Sequence, residues 1–220
     1  MISLSQKQII LGGLLGDSSM SLQKRQINCS QSINQEEYLK WKNSFFNTKV
    51  KYTVNVWHGN KYPRCYFYYY IKNEDNDLFS FICKNLYSKG RKKISVKYLE
   101  ELSPLGLAVW WLDDGSICVN NTNRYGKLAT NCFNYEEHIL IQQYFKKRWN
   151  IVVQIKQEKE KYYFIRFNST ELKKLISIIY QYVCEIPSMI YKIDLKYVYE
   201  KCIGEDFVTI YNFIESHKAV

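Results

Sequence analysis

No disulfide framework is written into this chain. The seven cysteines, Cys29, Cys65, Cys83, Cys118, Cys132, Cys184 and Cys202, are odd in number, and no pair stands in a C-x-x-C spacing. That pattern argues against a disulfide scaffold and a zinc ribbon, and predicts reduced intracellular thiols. The three histidines, His58, His138 and His217, are scattered. No apolar run approaches the roughly 20 residues needed to span a bilayer. Met1 to Gln8 is polar and leads into only a short apolar stretch, unlike a secretory leader. No membrane association is expected. Acid is the scarcer charge, with 21 Asp and Glu against 31 Lys and Arg.

What is present follows from that imbalance. A net charge of +10 on 220 residues points to a polyanionic partner, with nucleic acid the first candidate. The length suits one sizeable domain, or two small ones sharing an interface. The 20 tyrosines suit sheet surfaces and nucleotide contacts alike.

Two stretches stand out. Ile9 to Asp17 (IILGGLLGD) and Leu105 to Gly115 (LGLAVWWLDDG) are apolar runs of helical length that end abruptly in acid. In the first, Gly12, Gly13 and Gly16 each cost roughly 1 kcal/mol relative to alanine. Gly12 and Gly16 share a face at i, i+4, so close approach of another backbone is the expected compensation. Asp17 and Asp114 then fall at helix C-termini, at the negative pole of the macrodipole. That position calls for a cation.

The flanking chain alternates strands and helices. Ser5 and Gln8 read as a capping box for the first helix. Met20 to Ile33 reads as two strands with a polar, basic face. Asn34 caps a helix running to about Phe46, with Tyr38, Trp41 and Phe45 on its buried side. Val50 to Ile71 reads as a hairpin turning at Gly59-Asn60, residues 75 to 88 as a helix, and Lys89 to Lys93 as a basic loop. Ser103-Pro104 opens the next helix, with proline at its first position. Ser116 to Phe133 reads as two strands, and Asn134 opens a helix. Ile151 to Phe167 is a hairpin turning at 158–161. Residues 169 to 183 form a helix capped by Ser169 or Thr170. The tail from Leu195 reads as helical and then frayed.

These elements repeat. Asn34-x-Glu36-Glu37 recurs as Asn134-x-Glu136-Glu137, about 100 residues on. Each is followed about eight residues after its second glutamate by an aromatic pair, Phe45-Phe46 and Tyr144-Phe145. That period exceeds the solenoid range and indicates a duplicated domain. The expected fold is α+β: two αββαββα halves, 1–100 and 101–220, related by a pseudo-twofold axis. Each half holds a four-stranded antiparallel sheet with helices on one face and a DNA-binding face on the other. Duplex DNA has the matching symmetry.

These residues resemble a known family. IILGGLLGDSS and LGLAVWWLDDG look like the two signature motifs of LAGLIDADG homing endonucleases, in the single-chain, two-motif form. LSPLGLAVWWLDDGS is similar to L-T-P-x-x-L-A-x-W-x-x-D-D-G, and IPSMIYK to I-P-x-M-x-Y-K, both of the intron-encoded branch. The closing glycine of the first motif is replaced by Ser18. The resemblance implies a monomeric endonuclease that cuts both strands of a long double-stranded DNA site with Mg²⁺ or Mn²⁺. It implies Asp17 and Asp114 as metal-binding acids, with Asp113 as a further candidate. It places a basic residue near each metal: Lys192 in the second half, and Lys92 in the first, with Lys93 beside it. Asp17 to Lys92 and Asp114 to Lys192 span nearly equal lengths of chain. The family also contains maturases, which assist splicing of their host intron RNA without cutting. Localisation would be intracellular, in a mitochondrion or chloroplast if the host is eukaryotic.

The residue types suit the chemistry. Carboxylates hold Mg²⁺, which stabilises charge on phosphoryl oxygens and activates water; lysine adds further transition-state stabilisation. Arg25, Gln26, Asn28, Arg64, Arg124, Lys127, Lys156 and Arg166 are the DNA-contact candidates by strand face and charge. Each is read against the plainer role of a solvated surface group. Trp110 and Trp111 read as core anchors, and His58 lacks the partner motif of an HNH nuclease.

Overall fold

The computed structural model describes residues 1–58, 60–88, 90–120 and 123–193. Helix α1 (Leu4–Leu15) leads into strands β1 (Ser19–Ser21) and β2 (Gln26–Ser32), then helix α2 (Glu36–Ser44). Strands β3 (Lys51–Trp57) and β4 (Asn60–Tyr70) precede helix α3 (Asn76–Leu86). A small hairpin, β5 (Tyr87–Ser88) and β6 (Arg91–Lys92), and helix α4 (Val96–Glu100) complete the first set. The order then restarts: α5 (Pro104–Asp114), β7 (Gly115–Asn120), β8 (Asn123–Leu128), α6 (Tyr135–Trp149), β9 (Gln154–Glu158), β10 (Tyr162–Phe167) and α7 (Ser169–Cys184). A 3₁₀ turn, Pro187–Lys192, follows. The predicted helical tail from Leu195 lies outside the described residues.

The two sets form the same sheet. The strand orders are β1-β2-β4-β3 and β7-β8-β10-β9, all antiparallel. Each sheet buries one face. On β2, Ile27, Cys29 and Gln31 point inward while Gln26, Asn28 and Ser30 point out, as the period of two requires. Helices cover the inward faces, giving the expected α+β layers.

At the centre α1 crosses α5. A Cβ on Gly12 would collide with the Gly106 carbonyl oxygen, and one on Gly106 would lie 2.5 Å from Gln8 Oε1. Two helix backbones therefore touch where the sequence places its costly glycines. One level further along, Ile9, Leu105 and Val109 pack together. Helix α5 is buried all round, from Leu105 to Leu112, which is why it has no polar face. Trp110 stacks on Phe145, and Trp111 meets Phe167 edge-on. Both tryptophans are core anchors, as expected.

Ser18 is also explained. It is buried, its hydroxyl faces Cys29 Sγ at 3.4 Å, and a Cβ on Gly13 would stand 2.7 Å from its Oγ. In the second motif Gly115 is required because a Cβ there would enter the Trp111 ring. The first motif has Leu14 in place of Trp111, and its Gly13 leaves space for the Ser18 hydroxyl.

Several boundaries differ from the sequence reading. The α1 cap is Ser3, bonded reciprocally with Gln6, not Ser5 with Gln8. Gln8 is taken by the neighbouring chain: its Nε2 donates to the Glu101 carbonyl and its Oε1 accepts from the Ser103 amide, both at 2.8 Å. Asn34 lies in a 3₁₀ turn before α2, while Asn134 does cap α6. Asn168, not Ser169 or Thr170, caps α7. Helix α3 ends at Leu86, since Tyr87–Ser88 pairs with Arg91–Lys92 to make the basic segment a hairpin. On α2 the fully buried residues are Tyr38, Leu39 and Lys42; Phe45 is half-buried.

The glutamates of the repeated motif join the two sets. Glu37 Oε2 accepts from the Ser188 amide at 2.9 Å, and Glu137 Oε1 accepts from the Ile94 amide at 3.0 Å. Each ties its own helix to the segment of the other half that carries Lys192 or Lys92.

Gly12→Ala should destabilise the fold by about 3 kcal/mol, because both partners at the contact are backbone and cannot yield. Gly90→Ala meets no neighbour and carries only its backbone strain at φ +80. Thermal unfolding of the two variants should separate them, with Gly12→Ala the less stable.

Candidate active site and nucleic-acid face

Crossing at the glycines brings the C-termini of α1 and α5 together. Asp17 follows the end of α1, and Asp114 is the last residue of α5. Two helix ends present the negative poles of their dipoles, and two carboxylates add to them. Burial, then the charges of Asp113 and Asp17, push the Asp114 carboxyl up to about 8. Burial, then the charge of Asp113, raises Asp17 as well.

Two lysines answer that potential. Lys92, on β6, donates through Nζ to the Gly16 and Ser18 carbonyls at 3.2 and 2.9 Å. Lys192, on the 3₁₀ turn, donates to the Gly115 carbonyl at 2.7 Å. The two ammonium groups thus take equivalent positions, each on carbonyls flanking one acid. Burial lowers both lysines from their ordinary value. Lys93 is exposed and points elsewhere; its amide pairs with the Leu86 carbonyl.

Asp113 occupies a different environment. Its side chain is fully buried and ion-paired with Lys42 at 3.0 Å. Oδ1 also accepts from the Tyr38 hydroxyl at 2.9 Å and from Gln31 Nε2 at 3.0 Å, and Oδ2 accepts from the Asp17 amide at 3.2 Å. With these donors gathered on it, Asp113 has little capacity left for a metal. Gln31, Tyr38 and Lys42 were missed from the sequence. A signal existed: Tyr38 and Lys42 share a helical face, and a lysine on an apolar face needs a buried partner.

The pair Asp17 and Asp114 fits a hard divalent cation. Both donate oxygen, both are raised by burial and then by the charge of Asp113, and no side chain among the described residues neutralises Asp114 by a direct hydrogen bond. No group of three His, Cys, Asp or Glu forms a closed cage among the described residues. An open pair of carboxylates is the usual Mg²⁺ arrangement, with water and substrate phosphate completing the shell.

The open sheet faces flank this junction. In the first sheet, Gln26, Asn28, Ser30 and Arg64 line up with Tyr66, Tyr68 and Tyr70. Arg64 Nε donates to Ser30 Oγ at 3.1 Å, and Asn28 Oδ1 is buried without a partner. In the second sheet, Lys127 and Arg166 are cross-strand neighbours, and Lys156 pairs with Phe164 on the same face. Lys127 is bridged to Glu158 at 2.9 Å, and Arg166 lies over Tyr125 at 4.3 Å. Two candidates fall elsewhere. Arg25, at φ 49, spends its guanidinium on the Ile71 and Lys72 carbonyls and Asn76, and stacks on Phe79. It clamps a turn onto α3. Arg124 shares the strand parity of Gly126 and Leu128, the helix-covered side, rather than that of Lys127.

Asp114→Asn should stabilise the protein without divalent cation. Below about pH 4 the carboxyl is protonated folded and unfolded alike, so wild type and variant match. As pH rises to about 8 the native state must hold a charge it disfavours, and wild type loses stability that the variant keeps. The gap in thermal midpoint should widen across that window and narrow when Mg²⁺ is added.

A family model described as the LAGLIDADG DNA endonuclease family matches residues 7–175. A protein named "Protein RecA" from Mycolicibacterium flavescens is 23% identical over 222 residues, covering 94% of this chain and 50% of the relative. "Probable intron-encoded DNA endonuclease 3" of Mycosarcoma maydis is 27% identical over 133 residues, covering 58% of this chain and 94% of the relative. "Cytochrome b mRNA maturase bI2" of Saccharomyces cerevisiae is 30% identical over 142 residues, covering 63% of this chain and 29% of the relative. The chain spans half or less of the length of the RecA relatives it matches. The solved structure of the homing endonuclease I-WcaI bound to its DNA recognition sequence superposes with a TM-score of 0.76 at 20% identity, covering 88% of this chain and 87% of that one. Most of the chain is matched by the family model, and its fold is that of a family member: the protein belongs to the LAGLIDADG DNA endonuclease family.

Proposed function

We propose that this protein is a site-specific endonuclease that hydrolyses one phosphodiester bond in each strand of a long DNA site, using Mg²⁺ or Mn²⁺. The observation that carries the proposal is the pairing of two acids at crossed helix ends, each with a lysine on an adjacent carbonyl. Asp17 and Asp114 would hold the divalent cation, which supplies Lewis acidity and a lowered water pKa when bound. Lys92 and Lys192 sit where an ammonium group could offset charge gathering on a scissile phosphate. The helix-end carbonyls hold each ammonium in place, so it is oriented before substrate arrives. The net charge of +10 draws the duplex in, and the open faces of the two sheets align it. Gln26, Asn28, Arg64, Lys127, Lys156 and Arg166 are the residues proposed to meet DNA. Two halves, 1–100 and 101–220, would each read one half-site, so a monomer suffices. An intracellular site of action, organellar in a eukaryote, accords with an intron-encoded relative.

A maturase that assists splicing of its host intron RNA is the second reading, supported by the yeast relative, which is named a cytochrome b mRNA maturase. The retained acids favour cleavage, since RNA scaffolding does not require a pair of repelling carboxylates. The test is incubation of the chain with Mg²⁺ and a duplex spanning its own insertion site. Double-strand cleavage is expected, and chelation of the metal should stop it. Asp17→Asn or Asp114→Asn should lower cleavage by about a thousandfold or more while DNA affinity stays within about threefold. An uncut duplex, with tight and selective binding of intron RNA, would favour the maturase instead.

A further inference from the structure

The two acids sit in unequal surroundings although the motifs around them repeat. Gly16 precedes Asp17, and Asp113 precedes Asp114, so Gly16 and Asp113 are equivalent positions. They face each other: a Cβ on Gly16 would stand 2.5 Å from Asp113 Cβ. The missing side chain in the first motif makes the space that the carboxylate of the second fills. That carboxylate therefore crosses from the second half into the first and is neutralised there by Lys42, with both side chains at 0% exposure.

The first half closes around it. Gln31 Nε2 bridges Asp17 Oδ2 at 3.1 Å and Asp113 Oδ1 at 3.0 Å. Asp113 Oδ2 holds the Asp17 backbone amide at 3.2 Å. Tyr38 donates to Asp113 Oδ1 and to the Val109 carbonyl. Asp17 is thus fixed at its amide and at its carboxylate by groups that all converge on Asp113.

Among the described residues, no comparable set of donors surrounds Asp114. The repeat aligns Tyr38 with His138 and Lys42 with Gln142. His138 is held by Thr130 Oγ1 and the Asn134 carbonyl, each at 2.7 Å, and Gln142 donates to the Val153 carbonyl. Both are spent on their own half.

We propose that the buried Asp113–Lys42 pair, with Tyr38, is a positioning unit that sets the Asp17 carboxylate for divalent-cation binding, with Asp113 reaching from the second half onto the acid of the first. This rests on the metal-dependent nuclease reading given above. A buried ion pair is weak evidence for a stabilising role, because an apolar pair of similar shape often serves the fold as well. Such a pair is retained here beside a functional acid, and preorganising a ligand through neighbouring hydrogen bonds is what raises metal affinity.

The test replaces the pair by shape. Lys42→Met with Asp113→Leu keeps an unbranched and a γ-branched side chain in place and removes both charges together, and Tyr38→Phe removes one hydroxyl with little disturbance to packing. Mn²⁺ binding to the full-length protein is followed by electron paramagnetic resonance, alongside thermal unfolding and single-turnover cleavage of the insertion-site duplex. Expected are a thermal midpoint within a few degrees of wild type, Mn²⁺ affinity about tenfold weaker in the double variant and about threefold weaker in Tyr38→Phe, and slower cleavage that recovers at high metal. Wild-type Mn²⁺ affinity in folded double variant and in Tyr38→Phe overturns the proposal. Should the double variant not fold, the Tyr38→Phe affinity decides alone. A wild-type protein that binds Mn²⁺ but leaves the duplex intact counts against the nuclease reading, while the affinities of the variants still decide the positioning unit.

Discussion

The contact between Gly12 and the Gly106 backbone governs this molecule. Two helices can approach so closely only where neither carries a Cβ, and the approach fixes where both helices end. From that single crossing come the meeting of Asp17 and Asp114, the burial of α5 on all sides, and the placement of one sheet to each side. The glycines look costly when α1 is considered alone. In the folded chain their lost helix propensity is offset by the packing of two apolar helices along their length.

That geometry concentrates negative charge. Helix dipoles, Asp17, Asp113 and Asp114 all converge at one end of the crossing, and the fold manages them differently. Asp113 is neutralised internally by Lys42 and a full set of hydrogen bonds. Asp17 is half-open and shares Gln31. Asp114 is left with burial and repulsion, which raise its carboxyl to about 8. Lys92 and Lys192 bind carbonyls rather than the carboxylates, so they moderate the potential without cancelling it. The remaining unbalanced charge is the physical reason a divalent cation suits the site.

The open sheet faces extend this electrostatic logic outward. They are polar and basic, with tyrosines between the charges, while the covered faces are apolar. Arg25 shows the limit of reasoning from charge alone. It lies beside the polar strand face in sequence, yet its left-handed backbone turns the guanidinium onto the α3 side, where three acceptors and a ring engage it.

The sequence by itself determined the duplication, the strand and helix order, the two acid-terminated helices and the lysine that follows each at similar spacing. These are local or periodic signals: a capping residue, a strand alternation, a repeated Asn-x-Glu-Glu. Tertiary structure decided what depends on neighbours distant in the chain. Gln8 leaves its capping box because the turn between α4 and α5 offers it two backbone partners. Ser18 replaces a glycine because Gly13 leaves room for it. Lys92 rather than Lys93 faces the acids because the β5–β6 hairpin sets which side chain points inward. Asp113 and Asp114 look alike in sequence, but one is ion-paired with Lys42 across the axis, while the other is raised by burial and neighbouring acids that its two nearby lysines only partly offset. Which carboxylate becomes buried structure and which stays available is a property of the packed halves.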